Sequence, residues 1–491
     1  MLFNSWQFAL FLPVVVLVHF LLPHRIRWAW LLAASYLFYM SAVPEYGLLL
    51  LFSTVVDYWL GLAIHAAPAG ERRRWWLLLS SLLTNLGMLG LFKYFNFFAS
   101  SLAHLSGWLG RPLTPWESQL LLPVGISFYT FQTLSYSIDI YRGTLQPERH
   151  FGRYALYVAF FPQLVAGPIE RASRLLPQLR QPVHFSEARA ASGLKLMAWG
   201  FFMKLCIADH LAVFVNSVYS QPVSLSGPHY ALATAFFAFQ IYCDFAGYSL
   251  IAIGASRVLG YELMTNFDRP YSARSLGEFW NRWHISLSTW FRDYLYIPLG
   301  GSRNGVAQWY RNLAIVFLVS GLWHGARWTF VIWGALHATY LIVEIATRDR
   351  RAAWCEAIGL SRWPRLHRTL QQLTVFVLVC VAWVFFRADS LEDAWRIVSQ
   401  LPTGWSHLWE PGWLKQSRLA LGLSKSYFTN ALLLIAVMEL VQLWPQRVRD
   451  GWPQMFWLPV APLRWVGYVA LMLVILNLGA PKGAPFIYFQ F

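Results

Sequence analysis

Residues 312–340 read NLAIVFLVSGLWHGARWTFVIWGALHATY. Two histidines, His324 and His337, interrupt an otherwise apolar run, and His324 sits in Gly321-Leu322-Trp323-His324-Gly325. The apolar stretch Leu313–Leu322 before that motif is ten residues long. At a rise of ~1.5 Å per residue it covers ~15 Å, half of a ~30 Å hydrocarbon core. With Arg311 at one membrane face, His324 falls near mid-depth. Glycine-flanked backbone is tolerated there only when it is buried in protein or lines a wet cavity. An ionisable residue at that depth is a candidate functional group. The alternative is a histidine that hydrogen-bonds a neighbouring helix and does no chemistry.

Working outward, apolar runs recur along the whole chain. Of its 491 residues 57% are hydrophobic and only 13% are charged, against about a quarter charged in soluble proteins. The runs are continuous, whereas strands of an outer-membrane barrel alternate. The fold class expected is an all-α polytopic membrane protein with a single integral-membrane domain over residues 1–491. It should hold about ten to twelve crossings plus re-entrant and interfacial helices. The net charge of +16 gathers in short loops between apolar runs. That points to a positive-inside membrane protein and away from nucleic acid. A basic inner face would also attract anionic lipid. The cysteines form no CxxC pair, so neither a disulfide nor a zinc site is expected.

The first four spans are read at roughly 5–22, 28–43, 46–64 and 75–98. The basic connections His24–Arg27 and Arg72–Arg74 place the N-terminus outside. Asp57 should point into the bundle. A span at 119–138 begins with a Pro123/Gly125 irregularity and carries the polar row Ser127, Thr130, Gln132, Thr133 and Ser135, so it should be buried or line a passage. Tyr154–Gly167 is apolar but too short to span and reads as re-entrant. Spans near 193–219 and 230–258 follow, the second carrying Asp244 among Gln240, Tyr242 and Tyr248. Asp244 must have partners; it either orients a polar network or clamps two helices. Spans at 328–346, 370–387, 428–445 and 464–479 complete the chain, with Arg447 and Arg449 inside. No internal repeat is evident, which disfavours a transporter.

Residues 279–301 are dense in Trp, Tyr and Arg. On a helix Trp280, Trp283, Leu287 and Trp290 share one stripe, as an interfacial helix would require. The functional alternative is an entrance for a phosphate-bearing donor, with arginines meeting the phosphates.

The segments PVGISFYTFQTLSY (123–136), FFPQLVAGPIER (160–171), FAFQIYCDFAGYSLIAIGASRVLG (237–260), NFDRPYSARSLGEFWNRWHISLSTWFRDYLYIPLGGSR (266–303) and LWHG (322–325) together resemble the membrane-bound O-acyltransferases. They are most similar to the bacterial exopolysaccharide branch typified by the alginate O-acetyltransferase membrane subunit. The likeness runs from about residue 5 to the tail Pro485–Phe491. Members of this group acetylate alginate, cellulose or peptidoglycan, or D-alanylate teichoic acid.

The resemblance implies a bundle around a central tunnel in the bacterial inner membrane, with catalytic His324 at its waist and His284 at the second motif position. Neither histidine departs from the family pattern. It also implies acetyl-CoA as acyl donor, with no cofactor or metal bound. Expected partners are periplasmic SGNH-type (Ser/His/Asp) acetyltransferases and a polysaccharide acceptor, alginate first. Arg282, Trp283, Arg292 and Asp244 are taken as lining the tunnel or donor entrance.

The chemistry suits a histidine. An acceptor hydroxyl is a weak nucleophile until a base within hydrogen-bond reach takes its proton, and imidazole titrates near neutrality. No Gly-x-Ser-x-Gly elbow is present, against a self-contained serine hydrolase. Two other classes remain open: a transporter or flippase of lipid-linked glycan with Asp244, His324 and His337 as relay groups, and a scaffold for a periplasmic complex.

Overall fold

The computed structural model describes residues 1–41, 43–165, 167–220, 225–443, 461–479 and 486–487. Among them there are helices, turns and loops, and no strand. Among the described residues six helices are long and apolar enough to cross a membrane: Tyr46–Ala66, Arg72–Trp108, Glu187–Tyr219, Gly227–Leu259, Trp328–Ala346 and Pro364–Arg387. Shorter apolar helices stand at Trp6–Leu21, Tyr427–Gln442 and Arg464–Leu478. Arg447 and Arg449, expected on the inner face, lie outside the described residues, as does the tail except Phe486 and Ile487. The chain divides into two compact units: Met1–Met197 with Tyr248–Met264, and Ala198–Gly247 with Thr265–Phe491.

In the first unit, Asp57 is fully buried. It accepts hydrogen bonds from Ser81 Oγ (2.6 Å) and Asn85 Nδ2 (2.7 Å) of the next helix. Thr133 Oγ1 donates to Asn85 Oδ1 (3.1 Å) and ties in a third helix. A carboxylate in an apolar bundle is destabilising unless its lone pairs are met; here donors from two neighbouring helices meet them, Ser137 Oγ adding a longer contact at 3.4 Å. The expected span from residue 119 begins only at Ile126 and ends at Tyr141. Pro123 lacks a helical N–H, and Gly125 adopts φ +78 where a Cβ would stand 2.6 Å from the Leu164 carbonyl oxygen. The polar row on this helix is wholly buried, as its composition suggested. The 154–167 stretch forms two short buried helices, Phe151–Ala159 and Phe161–Leu164.

In the second unit, Val306–His324 and Trp328–Ala346 form a tight antiparallel hairpin. Glycine makes the approach possible. A Cβ on Gly321 would stand 2.3 Å from the Phe330 carbonyl oxygen, and one on Gly334 2.3 Å from that of Phe317. Backbones this close exclude any larger residue. The hairpin thus brings Trp333 and His337, one turn apart on the returning helix, back alongside His324.

The helix Glu187–Tyr219 carries a wide π-type turn over Phe202–Ala208. In ordinary α-helix, residues five apart point in different directions. The wider turn brings Lys204 and Asp209 to one side, with Nζ 2.8 Å from the Asp209 carboxylate. The same Nζ lies 2.7 Å from Asp244. All three side chains are buried.

Candidate active site

His324 is the last residue of its helix. Gly325 then turns extended, at φ −161 and ψ 149. The imidazole is therefore held at a rigid helix end. Its walls are aromatic: Trp323 (ring centroids 5.0 Å, planes at 82°), Trp333 (5.0 Å, 83°) and Phe386 (5.4 Å, 71°). The residue is 3% exposed.

His284 comes from a different kind of local structure. The amphipathic helix expected within 279–301 is broken into Leu276–Arg282 and Ile285–Phe291, with His284 between them at φ 42 and ψ 55. Left-handed backbone at a non-glycine residue is strained by about 1–2 kcal/mol, and such residues persist where surrounding structure over-determines them, often at functional sites. Here the determinant is Asn266. Its carbonyl accepts from Ile285 N–H (2.9 Å), and its side-chain oxygen accepts from Ser286 Oγ (2.7 Å) and Ser286 N–H (3.3 Å). Trp283, Leu287 and Trp290 are buried in protein, because the break turns this segment into the unit's core.

The two histidines converge. Their ring centroids lie 6.4 Å apart with planes at 52°. Trp323 touches both. Phe245 closes the other side of His284 at 4.6 Å, edge to face. His284 lies outside the six span-length helices and is wholly buried. Burial drives its pKa from 6.5 down to about 3, so it is a neutral imidazole with one donor and one acceptor nitrogen.

The other expected site residues separate. Asp244 gives one carboxylate oxygen to Lys204 and accepts from the Ile487 N–H with the other (2.7 Å). It thereby anchors Ile487, and neighbouring Phe486 packs on Phe245. Trp283 is buried against Phe279 and Trp383. Arg282 pairs with Glu278 at 2.8 Å. Arg292 pairs with adjacent Asp293, and its side chain is 59% exposed. Of the expected site residues only the two histidines meet ring to ring, and of the two arginines Arg292 is the more open to solvent.

Sequence reading did not single out two of the residues that box His324, Trp333 and Phe386. Nor did it single out Lys204. A lysine in the apolar run before Asp209 was the available signal for the latter. Among the described residues no three His, Cys, Asp or Glu side chains cluster to hold a metal. What the site offers is two buried imidazoles among aromatic rings, where proton transfer and dipoles act with little screening from water.

Comparison with known proteins agrees with this chemistry. The membrane-bound O-acyltransferase family profile matches residues 149–386, a range that includes both histidines. The chain is 39% identical to the probable alginate O-acetylase of Pseudomonas aeruginosa over 92% of its own length and 84% of that protein. It is 37% identical to the probable alginate O-acetylase of Azotobacter vinelandii over the full length of both. It is 36% identical to the peptidoglycan O-acetyltransferase of Helicobacter pylori, covering 81% of this chain and 79% of that one.

Proposed function

Because this chain belongs to the membrane-bound O-acyltransferase family, and is a multi-pass membrane O-acyltransferase, we propose that it moves acetyl groups from a cytoplasmic thioester, acetyl-CoA, across the inner membrane. They go to an exported polysaccharide, alginate in the first instance. His324 is the general base and His284 assists. The observation that carries this reading is the meeting of two buried histidines at 6.4 Å, one on a rigid helix end and one on strained backbone.

The transfer runs as follows. The acceptor oxygen forms a bond to the thioester carbonyl carbon while its proton passes to His324. The carbonyl electron pair moves onto oxygen. Collapse of that oxyanion breaks the C–S bond, and the departing thiolate takes the proton back from His324. The acceptor is either the polysaccharide or a hydroxyl of a periplasmic SGNH-type acyltransferase. In this reading Arg292, whose side chain is exposed, meets the donor's phosphates. The basic loops His24–Arg27 and Arg72–Arg74 support a periplasmic N-terminus.

The test uses purified protein in detergent with radiolabelled acetyl-CoA and, in separate arms, alginate oligosaccharide, peptidoglycan fragments or the periplasmic acyltransferase. His324→Ala should lower label transfer by about 10²–10⁴-fold while the protein stays folded. Undiminished transfer by that variant overturns the assignment. Label arriving only on peptidoglycan moves the acceptor to that polymer, as the 36% identical relative allows.

A further inference from the structure

Trp333 is buried completely, with 0% of its surface exposed. It is one turn from His337 and packs on both histidines of the hairpin, at 5.0 Å from His324 and 4.9 Å from His337. Trp383 lies nearly parallel to it at 6.0 Å, and Phe386 crosses it at 5.4 Å. Among the described residues its indole nitrogen has no hydrogen-bond partner. The neighbouring Trp383 differs, since its N–H donates to Tyr271 Oη at 3.2 Å. Trp280 also lacks a partner for its N–H, but it packs on His337. Trp333 thus combines contact with the proposed base and a dry donor without an acceptor.

A buried donor with no acceptor is destabilising, and native structures keep few of them. A phenyl ring would pack in the same aromatic box without that burden. An acyl-transfer centre has a use for such a donor. Negative charge develops on the thioester carbonyl oxygen, next to the base that takes the acceptor's proton. A fixed N–H in a site that excludes water stabilises that charge without reorganising.

We propose that the indole N–H of Trp333 is the oxyanion donor of this centre, a catalytic residue in addition to the two histidines. The inference rests on the acyl-transfer reading above. In the step it serves, the acceptor oxygen–carbon bond forms, the acceptor proton goes to His324, and the carbonyl electron pair becomes an oxyanion that accepts from Trp333 Nε1. When the carbonyl reforms, the C–S bond breaks, the thiolate takes the proton from His324, and the indole N–H is released unchanged.

The experiment replaces Trp333 with 3-benzothienylalanine, in which sulfur takes the place of N–H and the bicyclic shape is kept. Trp333→Phe serves as a second variant. Thiol release from acetyl-CoA is followed with whichever acceptor supports wild-type turnover, and kcat is normalised to folded protein by size exclusion. Wild type and His324→Ala run alongside. The expected result is a fall in kcat of about a hundredfold for both Trp333 variants, with KM for acetyl-CoA within about twofold. A benzothienyl variant that keeps half or more of wild-type kcat overturns the Trp333 assignment alone. Turnover that survives His324→Ala overturns His324 as the base and, with it, the Trp333 role beside that base, and no thiol release by wild type with any acceptor overturns the acyl-transfer reading itself.

Discussion

His284 Nα and Cα sit in left-handed backbone at φ 42, and Asn266, eighteen residues earlier in the chain, holds them there through both its carbonyl and its side chain. The strain is spent on direction. An imidazole on an unbroken helix through 279–291 would point wherever its stripe points. The break lets His284 enter the core at a right angle to Phe245, its ring 6.4 Å from that of His324. Two groups from separate parts of the second unit thus reach one centre.

That strain makes a sharp expectation for two substitutions. His284→Ala and His284→Gly both remove the ring and should both lower turnover. Alanine must still adopt φ 42, whereas glycine accepts it freely. The glycine variant should therefore be more stable than the alanine variant by about 1 kcal/mol, the reverse of the usual order inside a helix. Thermal unfolding in detergent measures the difference. An alanine variant that unfolds later than the glycine one would show that the left-handed backbone is not imposed on residue 284.

Protonation of His284 gives a second expectation. Burial puts its folded pKa near 3, below the 6.5 of an unperturbed side chain. The folded state therefore binds fewer protons than the unfolded one. Stability from this group is intact above pH 6.5 and is lost progressively as pH falls from 6.5 toward 3. His284→Asn removes the titration, so its unfolding temperature should decline less steeply than that of wild type over that window. Parallel declines would place the acid sensitivity elsewhere.

The span at 328–346 was legible from its apolar run, and a helix stands at Trp328–Ala346. Spans with long runs, such as Gly227–Leu259, were legible for the same reason of composition. The break at His284 was not. Its residues keep a helical period across 280–290, and the force that breaks it comes from Asn266, outside that window. The Lys204–Asp209 pair was hidden differently: five residues apart, they meet only in a π-type turn. The aromatic box around His324 draws Trp333 and Phe386 from separate helices, so no local pattern announces it. Aromatic residues are frequent throughout this chain, and spacing alone does not distinguish these from the rest.

Lys204 offers a test of the buried triad. Replacing it with Met leaves Asp209 and Asp244 buried together without their cation, and breaking a buried pair in this way costs about 3–5 kcal/mol. The unfolding temperature and the yield of folded protein should fall sharply. Neutralising all three, Lys204→Met with Asp209→Asn and Asp244→Asn, should recover much of the loss. The single and triple variants are compared by thermal unfolding in detergent. If the triple variant is no better than the single one, the lysine's contribution is something other than charge balance.

His337 separates the acyltransferase from a proton-coupled transporter. It is fully buried, and neither ring nitrogen has a hydrogen-bond partner among the described residues. It lies among Phe279, Trp280, Phe317 and Trp333. His337→Phe keeps a ring in that box and removes two unmet polar atoms, so it should raise stability by about 1 kcal/mol. In an acyltransferase whose base is His324, turnover should stay within about threefold of wild type. A relay that passes protons through the membrane would need the imidazole, and the same substitution would abolish it. Loss of acetyl transfer in a protein that unfolds later than wild type would therefore place a proton-carrying step on His337 and remove His324 as the sole base.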